Sequence, residues 1–255
     1  MTQRHPIGYN VPMRRRHTPE LMDEPDADRG ELADSLRFIE RVNAGMGGVE
    51  ALLRPLRAWS AGWPAGRRIE LLDIATGAAD LPIAAVRWAN GRGLDLRVTA
   101  IDVHATTLGL ARERVGDAGE AVSSRIELIE CDAFDAVDRF GARSFDYVHA
   151  GLFIHHLESE IRILTMLAIM DRLARAGVIW NDLVRSTVGY WFICLRTMYK
   201  AEMVKHDARV SVRAGFSGRE ARDLAVRAGW DDVRYRWNLF THRFCLTSQR
   251  EGAWL

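Results

Sequence analysis

The sequence has few cysteines, no long apolar run and no excess of either charge. Its 35 lysine and arginine residues balance 34 aspartate and glutamate residues, which leaves a formal net charge of +1. Because no overall electrostatic field attracts a polyanion, we expect no nucleic-acid partner. The three cysteines, Cys131, Cys194 and Cys245, are far apart and lack metal-ligand spacing. They exclude a disulfide framework and favour a reducing compartment.

Proline is also scarce, with 7 residues, and 48% of the chain is hydrophobic against 27% charged. This composition excludes the disordered and collagen-like classes. The most apolar local run, 190–195, is far below the roughly 18 residues needed to span a bilayer. Residues 1–30 lack the apolar stretch of a signal peptide. We expect a cytoplasmic protein without membrane insertion, and we leave a homodimer open.

The order of apolar patterns predicts one α/β domain behind a polar arm. Residues 1–30 carry mixed charge and are expected to form a solvated N-terminal arm, with a single domain over 31–255. Helical spacing predicts helices over 31–60, and an aromatic-rich stretch predicts a helical cap insertion at 184–215.

The intervening and following residues alternate between strand-like and helix-like patterns. The strand-like runs are 69–74, 96–102, 125–130, 145–149, 177–182, 232–238 and 242–248, and the helical stretches include 80–91, 106–116 and 158–175. Ser217 and Glu220 have the spacing of a capping box and predict a further helix start. The alternation indicates a Rossmann-like, seven-stranded sheet with an antiparallel C-terminal hairpin.

The segment LLDIATGAADLP at 71–82 has the pattern of a strand, a tight turn of small residues and a helix start. The strand ends near Asp73. Small side chains at Ala75 and Gly77 let a ligand approach the backbone closely, and the helix N-terminus favours an anion. The turn is therefore predicted to hold a small charged cofactor.

Acidic residues also end the next two predicted strands. Asp102 stands where its carboxylate would accept hydrogen bonds from two ribose hydroxyls. The following strand ends in Asp132 and Ala133, which suit an adenine amino group and ring. Together these strand ends predict an adenosyl ligand.

Five motifs in succession resemble those of class I S-adenosylmethionine-dependent methyltransferases. They are LLDIATGAADLP, AIDVH (100–104), ECDAFD (130–135), FDYVHAGLFIHHL (145–157) and VIWNDL (178–183). The resemblance extends from about residue 69 to residue 248 and implies S-adenosylmethionine as the cofactor. The cofactor-binding residues that it implies are Asp73, Ala75, Gly77, Asp102, Val103, Asp132, Ala133 and Ala150. One departure is that Ala75 and Ala79 replace two of the family's turn glycines.

Three further segments resemble bacterial methyltransferases that modify phenolic, quinol or polyketide-derived natural products. They are ELMDEPDAD (20–28), RVNAGMGG (41–48) and KHDARVSVRAGF (205–216). This resemblance implies a small hydrophobic, hydroxylated acceptor and O-methylation, with C-methylation as the alternative.

His155 and His156 are the candidates for a general base. They follow the fourth predicted strand, where the transferred methyl group points in such a fold, and a histidine side chain titrates near neutral pH. The alternative is that one is a polar residue at a helix start and the other a packed core histidine. The weaker substrate-binding candidates come from the cap insertion: Tyr190, Trp191, Tyr199, His206 and Arg213.

Other functions fit less well. A nicotinamide dehydrogenase needs glycine three residues after Gly77, where this chain has Asp80. A magnesium site built on Asn181 and Asp182 lacks a well-placed third carboxylate, so we expect no metal. A protein that binds the cofactor without methylating, as an assembly partner or as a cyclisation or decarboxylation catalyst, stays open.

Overall fold

The computed structural model describes residues 13–24 and 26–250, which fold around a seven-stranded sheet. The strands are β1 (Ile69–Ile74), β2 (Leu96–Asp102), β3 (Ile126–Glu130), β4 (Phe145–Gly151), β5 (Ala174–Leu183), β6 (Arg234–Asn238) and β7 (Arg243–Gln249). Their order across the sheet is β3-β2-β1-β4-β5-β7-β6. Strands β1 to β5 are parallel, and β7 is antiparallel to β5 and β6. The predicted fold class is confirmed.

Helices cover both faces of this sheet. They are α1 (Arg29–Gly45), α2 (Gly48–Ser60), α3 (Asp80–Asn90), α4 (Ala105–Asp117), α5 (Glu120–Ser123), α6 (Ala136–Phe140), α7 (Glu160–Leu173), α8 (Thr187–Thr197), α9 (Glu202–Ala214) and α10 (Gly218–Arg227). The predicted capping box of Ser217 and Glu220 begins α10. Helix α7 ends before residue 175 because Ala174 pairs with Phe145 and begins β5.

The strand order reverses between β1 and β4. Asp73 of β1 pairs with Ala100 of β2 on one side and with His149 of β4 on the other. In an open parallel sheet the connections leave such a point in opposite directions, and a crevice remains at the carboxyl ends of the strands. The residues that follow β1, β2 and β4 therefore border one crevice.

Buried apolar residues pack on both faces of the central strands. Leu71 packs in the layer that contains Leu52 of α2 and Val86 of α3. Its neighbour Leu72 packs in the opposite layer with Met166 of α7. Because successive side chains of a strand point to opposite faces, a continuous apolar run such as that in β1 supports both layers. This packing holds the strand ends that border the crevice.

Residues 13–24 pack on the domain, so the prediction of a solvated arm is wrong for this segment. The Arg15 guanidinium donates hydrogen bonds to the carbonyls of Leu157 at 2.9 Å and Ala214 at 2.8 Å. Glu20 is buried. These partners lie far along the chain, and local composition carries no signal for them. The rest of the predicted arm at 1–12 and the C-terminal residues 251–255 lie outside the described residues, and the boundary at residue 30 stays a prediction.

The predicted cap insertion forms α8 and α9. Helix α8 exposes part of its apolar surface, with Trp191 67% and Leu195 68% exposed. Helix α9 instead buries Val204 and Asp207. Among the described residues, none of the helices is both long enough and apolar enough to cross a membrane.

The turn between β1 and α3 holds three residues in the left-handed region. The φ angles are 54° at Ala75, 56° at Gly77 and 59° at Ala79. Glycine adopts this conformation readily, whereas an L-residue with a Cβ atom costs about 1–2 kcal/mol there. The chain therefore keeps the geometry of a glycine-rich turn with alanine at two positions.

We expect Ala75→Gly to raise the free energy of unfolding by up to about 1 kcal/mol. Relief of about 1–2 kcal/mol of backbone strain exceeds the roughly 0.4–1 kcal/mol lost through a more flexible unfolded chain. Urea unfolding of the two proteins measures the difference. The matched control is Ala85→Gly inside α3, which should lower stability by about 1 kcal/mol. A loss of similar size at both positions would contradict the prediction.

Candidate active site

A cavity of about 280 Å³ lies at the carboxyl ends of β1, β2 and β4. Its wall includes seven of the eight predicted cofactor-binding residues: Asp73, Ala75, Gly77, Asp102, Val103, Asp132 and Ala133. Ala150 is the exception, because its side chain is fully buried in the apolar core on the α7 side of the sheet. The next residues, Gly151 and Leu152, border the cavity instead. The part of this strand that borders the cavity therefore begins one residue after the predicted position.

Asp102 is held at the end of β2 by the backbone. Its carboxylate accepts hydrogen bonds from the N–H groups of Gly77 at 3.0 Å and His104 at 3.1 Å. Burial raises the pKa of Asp102, against the opposing effect of these two hydrogen bonds. The hydrogen bond from Gly77 connects the carboxylate at the end of β2 to the turn after β1. It therefore fixes the position of these two parts of the cavity wall relative to each other.

Asp73 is fixed by a residue that the sequence analysis did not single out. One carboxylate oxygen lies 2.6 Å from Nδ1 of His149, the residue paired with it across β1 and β4. Both side chains are buried. The contact holds the Asp73 carboxylate in the cavity wall. The sequence signal for it is a polar residue in the mostly apolar strand β4.

A second polar cluster borders the same cavity and was also missed. Asn43 donates to Asp80 at 2.9 Å, and the buried Arg243 donates to Asn43 at 2.8 Å. Burial lowers the pKa of Arg243 to about 10, despite the nearby carboxylates of Asp182 and Asp80. The cluster brings together α1, the start of α3 and the start of β7. No local pattern links positions so far apart in the chain.

The two predicted catalytic histidines lie in a short 3-10 turn, Ile154–His156, after β4. Nδ1 of His155 is 2.7 Å from Asp182, and Nδ1 of His156 is 2.6 Å from Asp23. The Nε2 atoms of His155 and His156 lie 3.4 Å and 3.7 Å from the same carboxylate oxygen of Glu20. Five side chains from three parts of the chain thus form one cluster, in which Glu20, His155 and Asp182 are buried and Asp23 is partly exposed.

Opposite charges shift the pKa values within this cluster. Burial alone would lower the pKa of His156, but the carboxylates of Glu20 and Asp23 outweigh it and raise the pKa to about 10. Burial alone would raise the pKa of Glu20, but the two histidines outweigh it and lower the pKa to about 2. The pKa of His155 is also raised, because Asp182 outweighs the effect of burial. A histidine that keeps its proton at neutral pH cannot accept another, which opposes the predicted role as a free base.

A second, apolar cavity lies next to the first. Met22, Ile39 and Leu152 border both cavities, so the two share a wall. The second cavity is further lined by Leu183, Ile193, Val204, Ala208 and Val212, with Glu20, Asp207 and Ser211 as polar groups. Most of its surface is apolar, which suits a hydrophobic small molecule.

Leu152 occupies an unusual backbone conformation in the shared wall. Its φ angle is 52°, and its N–H donates to the carbonyl of Asn181 at 2.9 Å. A residue of this size in the left-handed region costs about 1–3 kcal/mol and is typical of functional sites. The hydrogen bond to Asn181 of β5 holds Leu152 in this strained conformation, at the point where the two cavities meet.

The predicted substrate-binding residues lie elsewhere. Among the described residues, neither cavity wall includes any of Tyr190, Trp191, Tyr199, His206 and Arg213. The Tyr190 hydroxyl accepts from Arg213 at 2.9 Å, and Trp191 and Tyr199 are 67% and 90% exposed. His206 is 3.0 Å from Asp207. The prediction was based on the aromatic residues of α8. The face of α9 that borders the apolar cavity carries smaller side chains instead.

Comparisons with known proteins agree with the fold. Residues 72–179 match a family model described as a methyltransferase domain. No protein of curated function matches the chain. A S-adenosylmethionine-dependent methyltransferase structure from Aquifex aeolicus has 15% identity and a TM-score of 0.58. It aligns with 87% of this chain and 98% of its own.

Two further structures are similar. The first is a putative O-methyltransferase from Nostoc punctiforme, with 16% identity and a TM-score of 0.58 over 85% of this chain. This chain covers only 60% of that protein. The second is magnesium protoporphyrin IX methyltransferase from Synechocystis with bound S-adenosylhomocysteine, with 12% identity, a TM-score of 0.57 and coverage of 87% and 97%. Residues 72–179 therefore match a methyltransferase domain, and the chain has the fold of the S-adenosylmethionine-dependent methyltransferases among these structures.

Proposed function

We propose that this protein methylates a small hydrophobic acceptor with a hydroxyl group, of the phenolic, quinol or polyketide type, and that oxygen receives the methyl group. The observation that carries the proposal is the shared wall between the polar cavity and the apolar cavity. S-adenosylmethionine supplies an electrophilic methyl group on a sulfonium that is already a good leaving group. The chain therefore has to align the acceptor and exclude water.

The residues of the first cavity fit this cofactor. We assign the ribose hydroxyls to Asp102, the adenine to Asp132 and Ala133, and the amino acid end to Asp73 and the turn at Ala75 and Gly77. Small side chains leave the turn backbone accessible, and a buried hydroxyl, Oγ1 of Thr76, has no hydrogen-bond partner in the described part of the chain. A polar ligand would satisfy such a group. Asp80 and Asn43 add polar atoms to the same wall.

The second cavity fits the acceptor. Its apolar side chains would bury a hydrophobic ring or chain, and the polar groups of Glu20, Asp207 and Ser211 would receive a hydroxyl. His156 borders the cofactor cavity, whereas His155 is fully enclosed and contacts Asp182. We propose that His156 faces the reacting groups and that His155 positions the cluster behind it.

The cellular setting belongs to the same proposal. Cys131, Cys194 and Cys245 are all free thiols, which supports a reducing compartment and hence the predicted cytoplasmic location. The sequence resemblance supports a place in natural-product biosynthesis, and a homodimer stays open. Methylation at carbon would use the same two cavities, and the product distinguishes the two reactions.

We expect Asp102→Ala to weaken binding of S-adenosylhomocysteine by about 10- to 150-fold. Hydrogen bonds to a charged group are worth about 1.5–3 kcal/mol, which corresponds to that range. Isothermal titration calorimetry measures the affinity. The control is Glu127→Ala, which removes an exposed acid on β3 and should leave the affinity unchanged. If wild-type protein that is well folded gives no heat with the nucleoside, the cofactor assignment fails.

We expect Ala208→Phe to raise KM for the acceptor by about tenfold or more while binding of S-adenosylhomocysteine is unchanged. The phenyl ring would occupy the apolar cavity and leave less room for the acceptor. A mismatch of a single methylene group in a hydrophobic pocket already costs about 1–3 kcal/mol, or about 10- to 200-fold in discrimination. A panel of phenols, quinols and alkylated polyketides is incubated with labelled cofactor, and mass spectrometry detects one added methyl group. NMR of the product then identifies the methylated atom.

The matched control for the cavity is Ala201→Phe, at an exposed position just before α9. This variant should methylate the acceptor like the wild type. An Ala208→Phe protein with unchanged KM would show that the acceptor binds elsewhere. Methylation of none of the panel by protein that binds the cofactor would favour the non-methylating alternative.

A further inference from the structure

The side chains of Glu20, His155 and His156 converge on one point between the two cavities. Their nearest donor atoms, two imidazole nitrogens and one carboxylate oxygen, lie within 4.8 Å of one another. We propose that these three residues bind one divalent metal ion of the zinc class. The binding site stands on the geometry of these residues, and only its role in catalysis rests on the proposed function.

Each histidine is oriented as metal-binding histidines usually are. Nδ1 of His155 contacts Asp182 at 2.7 Å, and Nδ1 of His156 contacts Asp23 at 2.6 Å. Such carboxylates accept a hydrogen bond from Nδ1–H and fix the ring and its tautomer, so that a metal ion which displaces the Nε2 proton is bound by the Nε2 lone pair. Asp182 is itself held by the indole N–H of Trp180 at 3.1 Å and the backbone N–H of Leu183 at 2.8 Å.

Two of the three spacings between the donor atoms match a shared ion better than a hydrogen bond. Nε2 of His155 and Nε2 of His156 are 3.4 Å and 3.7 Å from Oε1 of Glu20, beyond the usual hydrogen-bond range of about 2.7–3.2 Å. Two ligands at about 2.1 Å from a tetrahedral ion are about 3.4 Å apart. Nε2 of His155 is also buried without a hydrogen-bond partner among the described residues, which is rare for a polar atom.

The charges around the cluster favour a cation. The carboxylates of Asp23 and Asp182 stand behind the two rings, and Glu20 completes a set of three acids. The hydroxyl of Ser211 donates to the same oxygen of Glu20. The guanidinium of Arg15 next to the cluster is bound to the carbonyls of His155 and Leu157. Nitrogen and oxygen ligands of this kind suit zinc and related ions.

The location gives the ion a role in the proposed reaction. Glu20 borders the apolar cavity, and His156 and Asp23 border the cofactor cavity. Three protein ligands leave one tetrahedral position open, as in catalytic zinc sites. That position would take the acceptor hydroxyl oxygen and polarise its O–H bond. The ion would lower the pKa of the hydroxyl, so its proton would leave to solvent as the acceptor binds. The new O–C bond would then form as the S–C bond of the sulfonium breaks, with water excluded from the reacting atoms.

The test is metal binding by the full-length protein after removal of metals with a chelator and dialysis. We expect one equivalent of Zn²⁺ by calorimetry, and one equivalent of Co²⁺ with the intense visible absorption of tetrahedral cobalt. Glu20→Gln should abolish this absorption. Asp23→Asn leaves all three ligands in place and should weaken Co²⁺ binding by about 10- to 100-fold. His242→Gln, in the turn between β6 and β7, is the control and should bind like the wild type.

Circular dichroism and thermal unfolding check that each variant is folded. Failure of the folded wild type to bind either ion, or unchanged binding by both Glu20→Gln and Asp23→Asn, would overturn the site. If Glu20→Gln does not fold, Asp23→Asn decides the question alone. A tetrahedral cobalt spectrum without methylation of any acceptor would support the site and contradict only the proposed function.

Discussion

A carboxylate that is removed from water needs a charged or hydrogen-bonding partner, and three such carboxylates lie near the ends of β1, β2 and β5. Asp73 contacts His149, Asp102 accepts two backbone N–H groups, and Asp182 contacts His155. Each partner comes from a segment that also shapes a cavity. The contacts that satisfy these buried carboxylates therefore also position the loops that form the site.

The sheet provides the reason why these acids lie together. The parallel strands β1, β2, β4 and β5 all end at the same edge, and the change of direction between β1 and β4 leaves that edge open. The apolar layers on both faces fix the strands, so the strand ends are rigid points of attachment. The residues at these strand ends would therefore be held in place before a ligand binds, which favours a preorganised site.

The sequence predicted the parts of this arrangement that depend on short-range pattern. Apolar runs separated by turns indicated all seven strands, and acids at the ends of the first three strands indicated the polar cavity. Other contacts join residues that are far apart in the chain, and the pattern of a short segment does not reveal such pairs. Examples are the contacts of Glu20, His149 and Arg243. The predicted aromatic residues of α8 border neither cavity, because a helix side chain faces solvent or a cavity according to how the helix packs. Trp191 faces solvent, and Ala208 of α9 borders the apolar cavity instead.

The uneven exposure of the tryptophans has a practical consequence for spectroscopy. Trp180 and Trp230 are almost completely enclosed, whereas Trp191 on α8 is largely open to solvent. Trp237 of β6 is also 50% exposed, so the intrinsic fluorescence is a composite of blue-shifted emission from the interior and red-shifted emission from these two exposed positions. Iodide reaches Trp191 and Trp237 but not Trp180 or Trp230, so collisional quenching reports on the exposed positions separately from the enclosed core.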